Sequence, residues 1–235
     1  MTYGLLIGPN KHTIYPDLVP SWLRSAPFDE TRSADVLDAL THAFGPEYTD
    51  TRTLLRSARM RDPDVLLYHP TDTHWTEWGA ALAVHDRLRA MGLDLEAPSF
   101  VDALMPYGGD LSRMIGQQSS MSETAPVLPD DWRCKDATGA EFDVVTIDPL
   151  MPRRFTCGSP SGHSERLVVF HDSFGVPAIP YLAARFQQVD FIWSDAADPA
   201  AAAVLDADYV LQILVERKLM TDTPEQFFAR EEAAK

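Results

Sequence analysis

Apolar residues in this chain fall into short, separated runs, and their spacing sets the expected elements. Tyr3 to Ile7 is apolar throughout and stops at Gly8-Pro9, which predicts a buried strand running into a loop. Pro16, Pro20 and Pro27 make the next stretch irregular. Ser33 then caps a predicted helix that reaches Phe44, with Val36, Leu37, Leu40 and Phe44 on one face and Gly45-Pro46 as its stop. Val65 to Tyr68 reads as a second buried strand. After it Thr76 caps a helix to about Met91, with Glu77 in its first turn and Gly92 at its end. Residues 96–165 hold many Pro, Gly and Ser residues and little periodicity. Within them, Val144 to Ile147 reads as a strand of a small excursion from the main sheet. Regular order returns with a strand at Leu167 to Phe170, a helix around Ala178 to Phe186, and strands at Val189 to Ile192 and Tyr209 to Val215. Apolar strands alternating with helices predict one α/β domain over residues 1–235, a three-layer α/β/α sandwich on a mainly parallel sheet. Residues 96–165 form its irregular, insertion-like part.

Composition narrows the partners more than the fold. With 235 residues the chain is long enough to bury a sizeable core, and 45% hydrophobic with 23% charged residues suits a folded globular protein. A net charge of −15 argues against nucleic acid and against anionic membrane surfaces, both of which need a basic footprint. Arg52, Arg56, Arg59 and Arg61 are the one dense basic group, and they read as a solvated helix face, with an anion-binding strip as the alternative. No apolar run approaches the ~20 residues of a membrane span, and the N-terminus lacks the charged start and small-residue cleavage site of a signal peptide. At face value the chain is cytoplasmic; as an excised domain it would be extracytoplasmic. Cys134 and Cys157 flank a segment that suits a β-hairpin, which leaves a disulfide and two free thiols both open.

Two stretches carry candidate chemistry. Ser173 follows the strand Leu167 to Phe170 and precedes the turn Gly175-Val176-Pro177. A serine nucleophile there would stand above the sheet edge, with backbone N–H groups at the turn available to an oxyanion. The plainer reading makes Asp172 or Ser173 a helix cap. Asp72 and His74 follow Val65 to Tyr68, and residues two apart on an extended segment face the same way. His74 then serves as general base and Asp72 as its orienting partner; otherwise Asp72 forms a turn and His74 packs near the helix start. A rival reading takes His69, Asp72 and His74 as part of a metal site, but the usual structural-zinc spacings are missing. The expected metal and cofactor complement is none.

These residues and several others together resemble the alginate O-acetyltransferase family, the AlgX/AlgJ-like branch of the SGNH hydrolase superfamily. The matching pieces run in family order. They are Gly8-Pro-Asn-Lys-His-Thr-Ile-Tyr-Pro-Asp17, Thr71-Asp-Thr-His-Trp75 with Gly79, Gly109-Asp-Leu-Ser-Arg-Met-Ile-Gly116, His171-Asp-Ser-Phe174, and Val210 through Val215-Glu-Arg217. The resemblance implies an SGNH hydrolase-like fold and a Ser173, His74, Asp72 triad. It departs from ordinary SGNH members in carrying His171 where they have Gly before the Asp-Ser pair. The Ser173 N–H remains as an oxyanion donor, with Gly109 as candidate for the second. Trp75, Tyr107 and Arg113 complete the substrate-binding candidates, and Trp75, Trp78 and Tyr107 could stack on a sugar, the alternative being core packing. Family members usually carry a further N-terminal stretch, whereas this chain starts almost on the first strand.

The resemblance implies an O-acetyltransferase that carries acetyl on Ser173 and passes it to a carbohydrate hydroxyl, by ping-pong transfer through an acyl-serine. A carbohydrate acetyl-esterase of the same type and a non-catalytic carbohydrate-binding domain are the alternatives. The implied partners are an acetyl donor, a carbohydrate acceptor and other proteins of a polysaccharide-modification system. The charge balance favours a neutral or weakly charged acceptor.

Overall fold

The computed structural model describes residues 1–24, 39–40, 42, 50–105, 108–128, 132–142 and 152–221. Its strands are β1 (Thr2–Gly8), β2 (Val101–Met105), β3 (Glu123–Val127), β4 (Arg133–Asp136), β5 (Glu141–Phe142), β6 (Arg154–Gly158), β7 (Leu167–His171), β8 (Val189–Trp193) and β9 (Tyr209–Val215). The helices are α1 (Lys11–Ile14), α2 (Ser21–Arg24), α3 (Thr51–Arg61), α4 (Glu77–Ala90) and α5 (Asp110–Met114), then α6 (Ile179–Arg185), α7 (Pro199–Val204) and α8 (Glu216–Thr221). Seven strands form one sheet in the order β1-β9-β7-β8-β6-β4-β5. The first four are parallel, and β6, β4 and β5 continue it antiparallel. The sheet is therefore mixed but mostly parallel, as the alternation of strands and helices predicts.

Strand alternation divides the core. In β7, Leu167 and Val169 face the larger core, with Leu55 of α3, Ala80, Val84 and Leu88 of α4 and Leu182 of α6. Val168 and Phe170 face the opposite side, where Ala202 of α7 and Val210 cover them. Side chains of this kind stabilise by about 1.5–3 kcal/mol each when fully buried, so the larger core dominates the fold. The parallel strands all end on one edge, at Gly8, His171, Trp193 and Val215, which is where open α/β sheets hold their sites.

Several expectations need correction. Val65 to Tyr68 is not a strand; among the described residues its one sheet-like contact is a bridge between Tyr68 and Trp75. Its backbone is held by other partners: Leu67 O accepts from Thr76 N, Leu66 O from Thr76 Oγ1, and Leu67 N donates to Tyr15 Oη. The middle region is more ordered than its periodicity suggests. There β2 and β3 form a separate antiparallel pair, while β4, β5 and β6 extend the main sheet. Cys134 of β4 stands opposite Cys157 of β6, and the two form a disulfide. The Val144–Ile147 strand lies outside the described residues, as does most of the 33–44 helix, of which Leu40 is seen buried.

The four arginines do lie on one helix, α3, but they are engaged rather than free. Arg56 donates to Thr13 O at 3.0 and 2.9 Å. Arg59 grips Asp17 at 2.6 and 2.7 Å, donates to Ile14 O and covers the Tyr15 ring at 4.2 Å. Arg52 and Arg61 pair with Asp50 and Asp62. Arg56 and Arg59 thus pin the segment after β1 against α3.

Candidate active site

Asp72 and His74 share a tight loop between the irregular 65–68 segment and α4. One carboxylate oxygen, Asp72 Oδ1, accepts from the His74 backbone N–H at 2.9 Å and lies 2.5 Å from His74 Nδ1. The other, Oδ2, accepts from Asp110 N at 2.9 Å at the start of α5. Burial raises the Asp72 pKa, but the bonds from the His74 ring and from the His74 and Asp110 backbones outweigh it and hold the carboxyl well below its usual range. An ionised Asp72 fixes the Nδ1–H tautomer and leaves the Nε2 lone pair as the basic site. That Nε2 is buried and has no hydrogen-bond partner among the described residues.

Ser173 arrives from the other half of the sheet. β7 is followed by a 3-10 turn, Ser173–Ala178, capped by Asp172, whose Oδ1 accepts from Phe174 N at 2.8 Å. The same Asp172 accepts from Val215 N at 2.9 Å and donates its own N–H to Ile213 O, so the turn is pinned to the end of β9. Directly after the serine, Phe174 is fully buried, with its ring centroid 5.1 Å from that of His74 and 5.2 Å from that of Trp75. Trp75 Nε1 donates to Phe174 O at 2.9 Å. The serine turn and the histidine loop are thereby in direct contact, although His74 Nε2 makes no hydrogen bond to Ser173. His171 fits where other SGNH members have Gly because Gly175 makes room for it. A Cβ on Gly175 would come within 2.3 Å of His171 Cβ.

The remaining candidates divide. Trp75 is fully buried, so it offers no sugar-stacking face and serves as the strut just described. Gly109 donates its N–H to Thr71 Oγ1 at 2.8 Å, which engages the donor expected at the oxyanion. Its missing side chain matters instead: a Cβ there would lie 2.3 Å from Asp72 Cβ. Trp78 packs on Phe100. Arg113 is exposed near the C-terminal end of α5, and Tyr107 lies outside the described residues.

Folding also places Lys11, Asp110 and Arg217, which lie in the family-like pieces but carried no assigned role, and Glu123, which lies in none of them. Asp110 accepts from Thr73 N at 2.7 Å and from Thr73 Oγ1 at 2.5 Å, with Oδ2 3.9 Å from His74 Nδ1. Glu123 of β3 lies 2.5 Å from His69 Nδ1 and accepts from Thr71 N and Thr71 Oγ1. Lys11 Nζ donates to the carbonyls of His69, Pro70 and Asp72 at 2.6, 3.0 and 3.0 Å. Arg217, at the start of α8, holds its guanidinium 5.4 Å from the Phe174 ring centroid. Ligand atoms of Asp72, His74 and Asp110 lie within 4.8 Å of one another, close enough to surround a cation. Their oxygens already accept hydrogen bonds from His74, Thr73 and Asp110, so a cation would have to disrupt the loop.

Residues 1–139 match the family described as SGNH hydrolase-like domain, acetyltransferase AlgX. The chain belongs to this family. It is thus an acetyltransferase-type SGNH domain, and its mostly parallel α/β sheet is the family's fold. Solved structures with this fold include a DHHW family protein from Eubacterium siraeum, at 12% identity and a TM-score of 0.65, covering 97% of this chain and 81% of that one. Bacillus cereus PatB1 is similar at 14% identity and a TM-score of 0.57, over 93% of this chain and 83% of its own. The O-acetyltransferase domain of Pseudomonas putida AlgJ follows at 16% identity and 0.51, over 100% and 83%. No curated protein sequence matches significantly. Among the described residues no helix is long and apolar enough to cross a membrane.

Proposed function

We propose that this chain transfers acetyl groups to carbohydrate hydroxyls through an acetyl-serine on Ser173, with His74 as general base and Asp72 as its orienting acid. One observation carries the reading. His74 Nε2 is a buried, unpartnered lone pair on a ring whose other nitrogen is held by Asp72, and that ring packs on the residue following Ser173. In the first half-reaction Nε2 takes the Ser173 hydroxyl proton as Oγ attacks the donor's acetyl carbonyl. The oxyanion is stabilised by the Ser173 N–H, and the proton passes from Nε2 to the departing group. In the second, Nε2 takes the proton of an acceptor hydroxyl, which attacks the acetyl-serine. Collapse returns that proton to Ser173 Oγ and releases the acetylated sugar.

The Cys134–Cys157 bridge supports action in an oxidising compartment, where such bonds persist. The test is to supply a chromogenic acetyl ester, with and without an oligosaccharide acceptor. Intact mass should reveal one added acetyl group in the wild type and none in Ser173→Ala. The acceptor should gain acetyl esters at the expense of free acetate. Acetylation of Ser173→Ala at the wild-type rate would overturn the assignment.

A further inference from the structure

Lys11 stands out because all three of its donors meet one loop. An ammonium has three N–H bonds, and three backbone carbonyls 58 to 61 residues away, those of His69, Pro70 and Asp72, converge on it. Convergent carbonyl dipoles repel one another, and the Asp72 carboxylate adds charge of the same sign on this loop. A cation at their focus is what makes the turn favourable. Partial burial lowers the Lys11 pKa, opposed by the nearby acids Glu123, Asp72 and Asp110.

Its other side connects to the serine. Lys11 begins α1, and the residues around it are fixed by Glu216, whose Oε2 accepts from Asn10 N and Thr13 Oγ1, both at 2.7 Å. Glu216 directly follows Val215, which donates to Asp172, the neighbour of Ser173. A continuous path of bonds therefore runs from Ser173 through Asp172, the end of β9, Glu216 and α1 to Lys11, and from there into the loop that bears His74.

We propose that Lys11 is a positioning residue that sets the base, His74, relative to the nucleophile, Ser173. The proposal rests on the triad reading above. Without the ammonium the three carbonyls turn apart, Asp72 drifts from the Asp110 N–H, and Nε2 moves from the path of the serine proton. A shift of about 1 Å in such a pair can cost up to ~100-fold in rate.

The experiment measures steady-state hydrolysis of a chromogenic acetyl ester by wild type, Lys11→Ala, Lys11→Met, His74→Ala and Ser173→Ala, each checked by thermal unfolding. Both Lys11 variants should fold and lose about 10- to 100-fold in kcat with KM little changed. Ethylammonium, which fits the space vacated in Lys11→Ala, should restore much of that kcat in a saturable way. It should leave Lys11→Met, His74→Ala and wild type unaffected. A folded Lys11→Ala or Lys11→Met with kcat within about twofold of wild type overturns the proposal, as does a loss that ethylammonium does not recover in Lys11→Ala. If both Lys11 variants fail to fold, Lys11 supports the fold and not the pair, and the proposal is again wrong. Retained activity in His74→Ala or Ser173→Ala, by contrast, overturns the triad itself.

Discussion

Replacing Gly109 with Ala separates two roles that one glycine can have beside a carboxylate. If its N–H served an oxyanion, alanine would keep that donor and activity would barely change. The geometry points elsewhere. The backbone at Gly109, φ −78° and ψ −162°, suits any residue, so the only new demand is space for one methyl group. That methyl carbon would sit 2.3 Å from Asp72 Cβ and 2.3 Å from Asp72 Oδ2, against 3.4 Å for ordinary contact. Something must move by the difference, 3.4 − 2.3, or 1.1 Å. Asp72 has little freedom to do so, since its oxygens hold His74 and the start of α5. Overpacking of this kind costs about 1–3 kcal/mol in stability, and a displacement of about 1 Å in the acid–base pair costs up to ~100-fold in kcat. Thermal unfolding and ester hydrolysis measured on one preparation decide the matter. A folded Gly109→Ala enzyme of wild-type kcat would refute the reasoning.

Asp72→Asn places an amide donor against His74 Nδ1, which favours the tautomer protonated on Nε2. With the fold intact, kcat should fall by ~10⁴, and a loss of tenfold or less would count against an orienting role. His171 sets an acid limit on stability. Burial lowers its pKa, so the native ring stays neutral while the unfolded chain takes up a proton near 6.5. The unfolded state binds the extra proton, and stability should therefore fall as pH drops below 6.5, by up to about 1.4 kcal/mol per pH unit. Denaturant melts near pH 7 and pH 5 should show a larger loss for wild type than for His171→Phe, and equal losses would contradict this. Finally, transfer to a neutral glycan should be nearly indifferent to salt up to about 0.15 M, whereas a steep decline would indicate exposed charges steering the acceptor.

What the sequence disclosed, and what it hid, follows the range over which the residues interact. Four apolar runs bounded by Gly, Pro or polar residues became β1, β7, β8 and β9 within a residue or two, because strands of a covered parallel sheet read as short continuous apolar runs. Val65 to Tyr68 has the same composition, but four apolar residues carry no period, and their hydrogen bonds went to Thr76 and Tyr15. Asp72 and His74 were legible because their bond is local, spanning two residues. Lys11 and Asp110 lie in the family-like pieces, but like Glu123 they act on this loop from 35 or more residues away, and nothing in a local window shows that contact. Trp75 was visible as an aromatic beside the site, with a sugar platform and core packing both open, and it is buried in the core. Its role is set by Phe174 O, ninety-nine positions along the chain.

Among the described residues two imidazole nitrogens are buried without partners, His74 Nε2 and His171 Nε2, and leaving such an atom unpaired costs about 1–3 kcal/mol. Their surroundings distinguish them. The His171 ring is flanked by Phe155, Phe191 and Trp193, aromatic side chains that exchange no protons at neutral pH, and its Nδ1 bonds only to the adjacent Asp172 carbonyl. It is a packing residue whose polarity is tolerated. The His74 loop is saturated almost everywhere else. Asp72, Asp110 and Glu123 accept on both oxygens, and Lys11 donates three times. A loop that satisfies so many polar groups and leaves the buried His74 Nε2 open beside the serine turn places an unmet bond at that atom. Stability alone gives no reason for that arrangement; the proposed proton transfer through His74 does.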